Sequence, residues 1–342
     1  MQPETAQNQS VAAPSLSVVV PVYRSETSLR ALVERLLTVL KNRADDFEII
    51  LVNDGSPDRS WRLIEELARA DTRIRGIDLM RNFGQHNAVL CGIRAARYDV
   101  IITLDADLQH PPEEIPSLLA KLAEGYDVVY GRPAEEKHSL FRRLGSNTLR
   151  YIVGHVLGIT NAAQISALRA FRARLREPFL TYSSPLVFID VMLTWSTTRI
   201  TAVSVRHAER SKGKSSYSLY QLLGWCFTVI TSFSTLPLRL ASWIGFFFTL
   251  FGVGVLVYVI GVYLILGYSI PGFPFLASII AIFSGAQLFA LGIIGEYLSR
   301  IHFRLMDKPP FVVRDSIGFP PPNQNPLKPA LESAVNRQIV HG

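Results

Sequence analysis

Charge is scarce in this chain. Asp, Glu, Lys and Arg make up 18% of 342 residues, where a soluble domain carries about 25%, and apolar residues reach 49%. Such a balance excludes a chain solvated by water throughout. Cysteine is nearly absent too: Cys91 and Cys226, both in apolar stretches, form neither a disulfide framework nor a metal cluster, and point to a reducing compartment. No G-x-G-x-x-G follows the first apolar run and no G-x-x-x-x-G-K-[ST] occurs, so dinucleotide oxidoreductases and P-loop nucleotidases lose their main support. His86, His110, His155, His207 and His302 show no metal spacing. Residues 1–15 have no basic start and no apolar stretch, and are expected to be a disordered leader rather than a signal peptide.

The longest absence is the most informative. Residues 240–295 contain no Asp, Glu, Lys, Arg or His. One membrane-spanning helix needs about 20 apolar residues, so this run is too long for one and sufficient for two. The stretch Gly267 to Pro274, with two glycines and two prolines, supplies the break, which predicts spans of about 241–266 and 275–298. Arg239, Arg300, Arg304 and Lys308 flank the run and the connecting loop has no charge, so both ends are expected on the cytoplasmic side of the plasma membrane. Residues 215–238 are uncharged but alternate polar and apolar positions at helical spacing. A third span there would place the positive C-terminal flank outside, so the charge rule favours helices lying in the headgroup plane. The formal charge of +7 suits an anionic membrane, a phosphorylated ligand or nucleic acid, and alone does not choose among them.

Residues 16–209 alternate β-branched runs with amphipathic segments: 16–21, 48–52, 74–79 and 99–104 as strands, and 28–41, 60–70 and 85–96 as helices. That alternation predicts a Rossmann-like, mostly parallel sheet covered on both faces, with its ligand crevice at the carboxyl ends of the strands. Pro21-Val22-Tyr23, Asn53-Asp54-Gly55-Ser56, Arg81 to Gln85 and Asp105 to Gln109 all stand there. Two carboxylates one residue apart after a buried strand are costly unless a cation sits beside them. Mg²⁺ or Mn²⁺, which prefer oxygen ligands and share them with phosphates, fit Asp105, Asp107 and the amide oxygen of Gln109. An exposed Asp-x-Asp turn is the alternative. Asp54 could bind a base or ribose, or close an Asx-turn before Ser60.

The strings VVVPVY, LVNDGSPD, RNFGQHNAVLCGI and IITLDADLQHPPEEIP, in this order, closely resemble the inverting family-2 glycosyltransferases of GT-A fold. Within them the chain is similar to the polyprenyl-phosphate glycosyltransferases, and the likeness continues through ITSFSTLPLRL and LGIIGEYLSRI, covering about residues 16–313. The resemblance implies transfer of one sugar from a nucleotide sugar, favouring a UDP sugar, to a polyprenyl phosphate such as undecaprenyl phosphate. Pro21, Tyr23, Asp54, Arg81, Gln85 and Asp105 would form the donor site, and Asp105, Asp107 and Gln109 the metal site. Arg132, Arg210, Lys212 and Lys214 would face the acceptor phosphate. A homo-oligomer is expected, with a tetramer as the form the family suggests, and small residues Ser284, Gly285, Ala286, Gly292 and Gly295 permit close helix contacts. No nucleic-acid partner is expected. Glu296 reads as a helix-end carboxylate pairing with Arg300 one turn on.

The pattern is broken in three places. Arg24-Ser25-Glu26 stands where relatives usually have Asn-Glu, the acceptor-loop lysine moves two positions earlier to Lys214, and Ala163 stands near where relatives often carry an acid. A proposed general base is therefore missing. The loss is tolerable, because a phosphate monoester, with its second pKa near 6, is largely a dianion at pH 7 and needs no deprotonation. Asp190 is the reserve base or sugar-hydroxyl ligand, and a structural carboxylate is the equal alternative. Catalysis would then rest on Asp107 and Arg132, with Asp190 in reserve. Two other functions compete: a processive polysaccharide synthase, weakened by the lack of Gln-x-x-Arg-Trp, and a nucleotide-sugar-binding scaffold without catalysis, motivated by Ala163.

The expected organisation is a leader (1–15), a GT-A catalytic domain (16–209), an acceptor loop with interfacial helices (210–239), a transmembrane hairpin (240–300) and a cytoplasmic tail (301–342), largely unstructured from Pro309.

Overall fold

The computed structural model describes residues 14–44, 46–133, 165–184, 186–206, 231, 234–266, 272–306 and 308–319. Outside them lie most of the leader, Ala163, the basic loop Arg210 to Lys214 and most of the expected interfacial stretch 215–238.

In the first unit, β1 (Leu16–Val22), α1 (Leu29–Lys41), β2 (Phe47–Asn53), α2 (Ser60–Ala70), β3 (Ile74–Leu79), α3 (Gln85–Ala95) and β4 (Val100–Thr103) alternate as the apolar runs predict. There follow α4 (Ile115–Ala123), β5 (Val128–Pro133), β6 (Arg169–Arg172), a short α5 (Glu177–Leu180), α6 (Ile189–Ser196), β7 (Ile200–Val205) and, after the membrane segment, β8 (Val313–Ile317). One eight-stranded sheet has the order β7-β5-β6-β4-β1-β2-β3-β8. Its centre, β4-β1-β2-β3, is parallel, but β6 runs antiparallel to both neighbours and β8 antiparallel to β3. The sheet is thus mixed, a GT-A-like arrangement.

Burial on both faces explains the continuous apolar strands. On β1, Val18, Val20 and Val22 pack with Leu32, Leu36 and Ile115 on one side, while Val19 faces Ala88, Cys91 and Ile93 on the other. Gly92 lies so close to β1 that a Cβ there would come within 2.3 Å of Val19, which lets α3 settle on the sheet. The buried charges at the opposite end of the sheet are paired: Glu48 accepts from Ser17 Oγ (2.6 Å), Arg75 Nη1 (2.5 Å) and Arg97 N (2.9 Å).

One expectation fails here. The tail from Pro309 is not all unstructured, since Val313–Ile317 completes the sheet edge against β3. A five-residue strand with Arg, Asp and Ser at its centre has too little apolar alternation to be recognised before its partner is known.

The second unit contains α7 (Leu236–Leu266) and α8 (Phe273–Leu305), both long and apolar enough to cross a membrane and fitting a transmembrane hairpin. The helices overrun the uncharged segment at both outer ends, because intrahelical hydrogen bonds continue past the hydrocarbon boundary. They meet through aromatic rings: Phe283 lies edge-on to Phe248 at 5.5 Å and stacks on Phe251 at 6.4 Å. A Cβ at Gly252 would stand 3.1 Å from Phe283, so the glycine makes room for the ring. Tyr297 donates to the carbonyl of Ser234, and Arg300 donates to Glu296 at 2.5 Å, the pairing expected one turn apart.

Candidate functional site at the carboxyl edge of the sheet

Parallel register sets Val22 opposite Asn53 and Asn53 opposite Asp78, so the loops after β1, β2 and β3 leave the sheet side by side. Pro21 is buried in β1, where β4 has already turned away after Leu104 N bonds Val19 O at 3.3 Å, so its missing N–H breaks no ladder on that side. Tyr23 is 43% exposed at the strand end, with the Arg24 guanidinium 5.4 Å from its ring centre. Arg24 itself is left-handed (φ 52°), and its N–H bonds Ser56 Oγ at 3.2 Å.

Asp54, 2% exposed, accepts the N–H of Phe83 at 2.7 Å on one oxygen and that of Gly84 at 2.9 Å on the other. Neither sequence-level reading of Asp54 foresaw this bracing. Asp58 does the turn work before Ser60, accepting its N–H at 3.1 Å. Burial pushes the Asp54 carboxyl above its ordinary range, partly opposed by the Phe83 and Gly84 amides and the Arg81 charge. Gly55 (φ +61°) carries the close approach of the two loops, since a Cβ would stand 2.4 Å from the Arg81 carbonyl carbon. Arg81 is exposed, its guanidinium 4.4 Å from the Phe83 ring centre.

After β4, Ser28 Oγ bonds the carbonyl of Ala106 at 2.7 Å, and Leu108 is left-handed (φ 63°). These hold Asp105 and Asp107 on a sharply bent segment, a strained conformation of the kind found where a ligand is gripped. Asp105 accepts Gln85 Nε2 at 2.6 Å, which brings the third and fourth loops together, and Asp107 accepts the Gln109 N–H at 3.1 Å. Among the described residues no three His, Cys, Asp or Glu side chains group around one point. Asp105 and Asp107 offer oxygen donors alone, the type that would suit Mg²⁺ or Mn²⁺, ions that complete their shells with water and substrate phosphate.

Behind this loop lies a buried network. Arg169, 3% exposed, donates through Nε to Thr103 Oγ1 (2.8 Å) and through Nη1 to Asp190, which also accepts the Tyr130 hydroxyl at 3.0 Å. Burial disfavours the Arg169 charge, but Asp190, Tyr130 and Asp105 together outweigh it and raise the guanidinium above its ordinary range; burial and Asp190 push the Tyr130 phenol far above its usual range. His86, whose Nδ1 is buried without a hydrogen-bond partner among the described residues, is held neutral by burial despite Asp190 and lies 5.3 Å from the Phe188 ring.

The residues expected on the donor side and the acid pair therefore share one edge. Arg132 is exposed at the end of β5, opposite Ser204 of β7. Arg210, Lys212 and Lys214 lie outside the described residues. Sequence reasoning missed Tyr130, Arg169 and Thr103 as members of the site; an arginine inside the apolar string Leu168 to Phe171 was the available signal.

Residues 17–180 match glycosyl transferase family 2. Relatives named undecaprenyl-phosphate 4-deoxy-4-formamido-L-arabinose transferase include those of Proteus mirabilis, 37% identical over 91% of this chain and 96% of that protein, and Shewanella sediminis, 38% identical over 88% and 92%. Glucosyl-3-phosphoglycerate synthase from Mycobacterium tuberculosis, solved with Mn²⁺, uridine diphosphate and phosphoglyceric acid, is 18% identical with a TM-score of 0.48, covering 64% of this chain and 76% of that one.

Proposed function

We propose, from the premise that this chain belongs to the polyprenyl-phosphate glycosyltransferases of glycosyl transferase family 2, that it moves one sugar from a UDP sugar to undecaprenyl phosphate with inversion. The product is a polyprenyl-monophosphate sugar formed at the cytoplasmic leaflet. The observation that carries this reading is the extent of the likeness: the undecaprenyl-phosphate transferases match across 91% of the chain, hairpin included, and not the catalytic domain alone.

On this reading Asp54 holds the Arg81–Gly84 loop that cradles the nucleoside, and Arg81 lies beside the donor diphosphate. Asp105, Asp107 and Gln109 would hold Mg²⁺ or Mn²⁺, which when bound would offset diphosphate charge and favour its departure. Arg132, with the basic loop Arg210 to Lys214, draws in the acceptor phosphate as a charge-assisted donor. The acceptor dianion attacks the anomeric carbon as the bond to the diphosphate breaks, and no proton has to leave it first. The Asp190 carboxylate, engaged by Arg169 and Tyr130, supports a reaction in which it serves as counterion to Arg169 and acceptor for Tyr130 rather than as base. The positive flanks Arg239, Arg300 and Arg304 support a topology with both outer helix ends in the cytoplasm. Added Cβ atoms at Gly285, Gly292 and Gly295 would meet nothing within 4 Å, which leaves that helix face open to a second copy in a homo-oligomer.

Radiolabelled nucleotide sugars offered with undecaprenyl phosphate test the reading, beginning with the UDP derivative of 4-deoxy-4-formamido-L-arabinose, the sugar in the relatives' name. A lipid carrying one sugar is expected. A polymer would favour a processive synthase, and metal-dependent nucleotide binding without transfer from any donor a scaffold.

A further inference from the structure

The loop that meets Asp54 is held from its other end by the strand that follows the membrane hairpin. Along β3 and β8, Gly76 stands opposite Ile317, Ile77 opposite Ser316 and Asp78 opposite Asp315, but the next pair is Leu79 with Val313. Arg314 is thus one extra residue, a bulge. Bulges bend a strand, re-aim a side chain and recur beside active sites. This one sends the Arg314 guanidinium to two acceptors, Asp78 Oδ2 at 3.3 Å and the Met80 carbonyl at 2.6 Å. The backbone adds a third tie, from Met80 N to Val312 O at 2.9 Å.

These contacts close a circuit around the loop. Asp78 is 2% exposed, and its other oxygen accepts Asn53 Nδ2 at 2.6 Å. Asn53 immediately precedes Asp54, whose carboxylate holds Phe83 and Gly84. Met80 immediately precedes Arg81. Arg314 therefore grips the residue where the loop begins and, through Asp78 and Asn53, the strand end that grips the loop where it finishes. An edge strand serving only as cover would shield β3 equally well in regular register, and would have no need to lay a cation, its side chain still 54% exposed, across buried Asp78.

We propose that Arg314 is a positioning residue for the donor site: it fixes the Arg81–Gly84 loop against Asp54 and thereby sets the affinity for the nucleoside diphosphate. The inference rests on the nucleotide-sugar reading above. The loop, not the acceptor side, is what it controls.

The test uses the full chain in detergent, with uridine diphosphate and guanosine diphosphate as probes in the presence of Mg²⁺. Arg314→Gln should weaken nucleotide binding about ten-fold, the scale of one lost charge-assisted hydrogen bond. KM for undecaprenyl phosphate should stay unchanged. Hydrogen exchange at the Phe83 and Gly84 amides should quicken in this variant. Arg314→Lys, which keeps the charge but not the two-pronged donor, should restore part of both effects and provides a folded comparison should the glutamine variant be unstable. Nucleotide affinity and Phe83/Gly84 protection equal to wild type in Arg314→Gln would overturn the proposal alone, as would a lowered melting temperature with an unaltered donor KM. Wild-type protein that binds neither nucleotide would overturn the donor reading and this inference with it.

Discussion

Arg169 and Asp190 form a largely buried ion pair, with side chains 4% and 16% exposed, and Arg169 also donates to Thr103, two residues before Asp105. Removing one partner of such a pair strands the other charge, at a cost of about 3–5 kcal/mol. Asp190→Ala should therefore destabilise the catalytic domain by about that much, measured by thermal or denaturant unfolding in detergent. Asp190→Asn keeps an acceptor for Tyr130 and should cost less, with transfer per folded molecule largely retained. Unaltered unfolding in the alanine variant would mean that the pair contributes no net stability.

Asp107 faces a different demand under the proposed function, where its carboxylate serves a metal ion rather than an ion-pair partner in the protein. Asp107→Asn exchanges a carboxylate for a neutral amide and should reduce transfer by at least about two orders of magnitude, with a higher Mg²⁺ or Mn²⁺ requirement. Near-normal turnover at ordinary metal concentration would remove Asp107 from the metal site.

Gly55 tests the contact between the second and third loops. A side chain there needs a left-handed backbone and would collide with the Arg81 backbone at 2.4 Å. Gly55→Ala should cost about 1–3 kcal/mol of stability and weaken nucleotide binding. Wild-type values for both would show that the loops separate freely.

Much of this architecture was legible because local pattern and tertiary environment agree. Val18 to Val20 and Ile49 to Val52 are β-branched or leucine runs buried on both faces, so the central strands announce themselves without any knowledge of their partners. The acid pair was legible from strand-end placement. What escaped depends on residues far apart in the chain. Arg169 becomes buried only when Asp190 folds against it, and Arg314 acquires meaning only when β8 reaches β3. Asp54 is the instructive case: its importance was apparent, but its two partners are backbone amides, which leave no trace in side-chain identity.

At the far end of β5, Asp127 supplies a pH test. Burial would raise its pKa, but hydrogen bonds from Arg174 and from Thr197 (2.8 Å), together with the charges of Arg174 and Arg199, outweigh it, and the carboxyl titrates below its ordinary range. A depressed acid contributes stability above its unfolded value of about 3.9, and that stability is lost as pH falls through the folded value. Asp127→Asn should thus melt earlier than wild type at pH 7, and the gap should narrow below about pH 4. A gap independent of pH would assign the effect to packing.

The acceptor side yields the sharpest prediction. If the phosphate dianion attacks unaided, the rate should rise with pH through the acceptor's own second ionisation near 6 and then level off, with no enzyme group needed to explain the rise. Asp190→Asn should leave that profile in place. Arg132→Ala removes an exposed guanidinium at the end of β5, a charge-assisted donor worth roughly 1.5–3 kcal/mol to an anionic ligand, so acceptor use should weaken by about one to two orders of magnitude. Nucleotide binding should change little. Calorimetric titration with the nucleotide and initial rates against undecaprenyl phosphate separate the two effects. Equal losses would move Arg132 to the donor diphosphate, and loss of activity in Asp190→Asn at every pH would make Asp190 the general base after all.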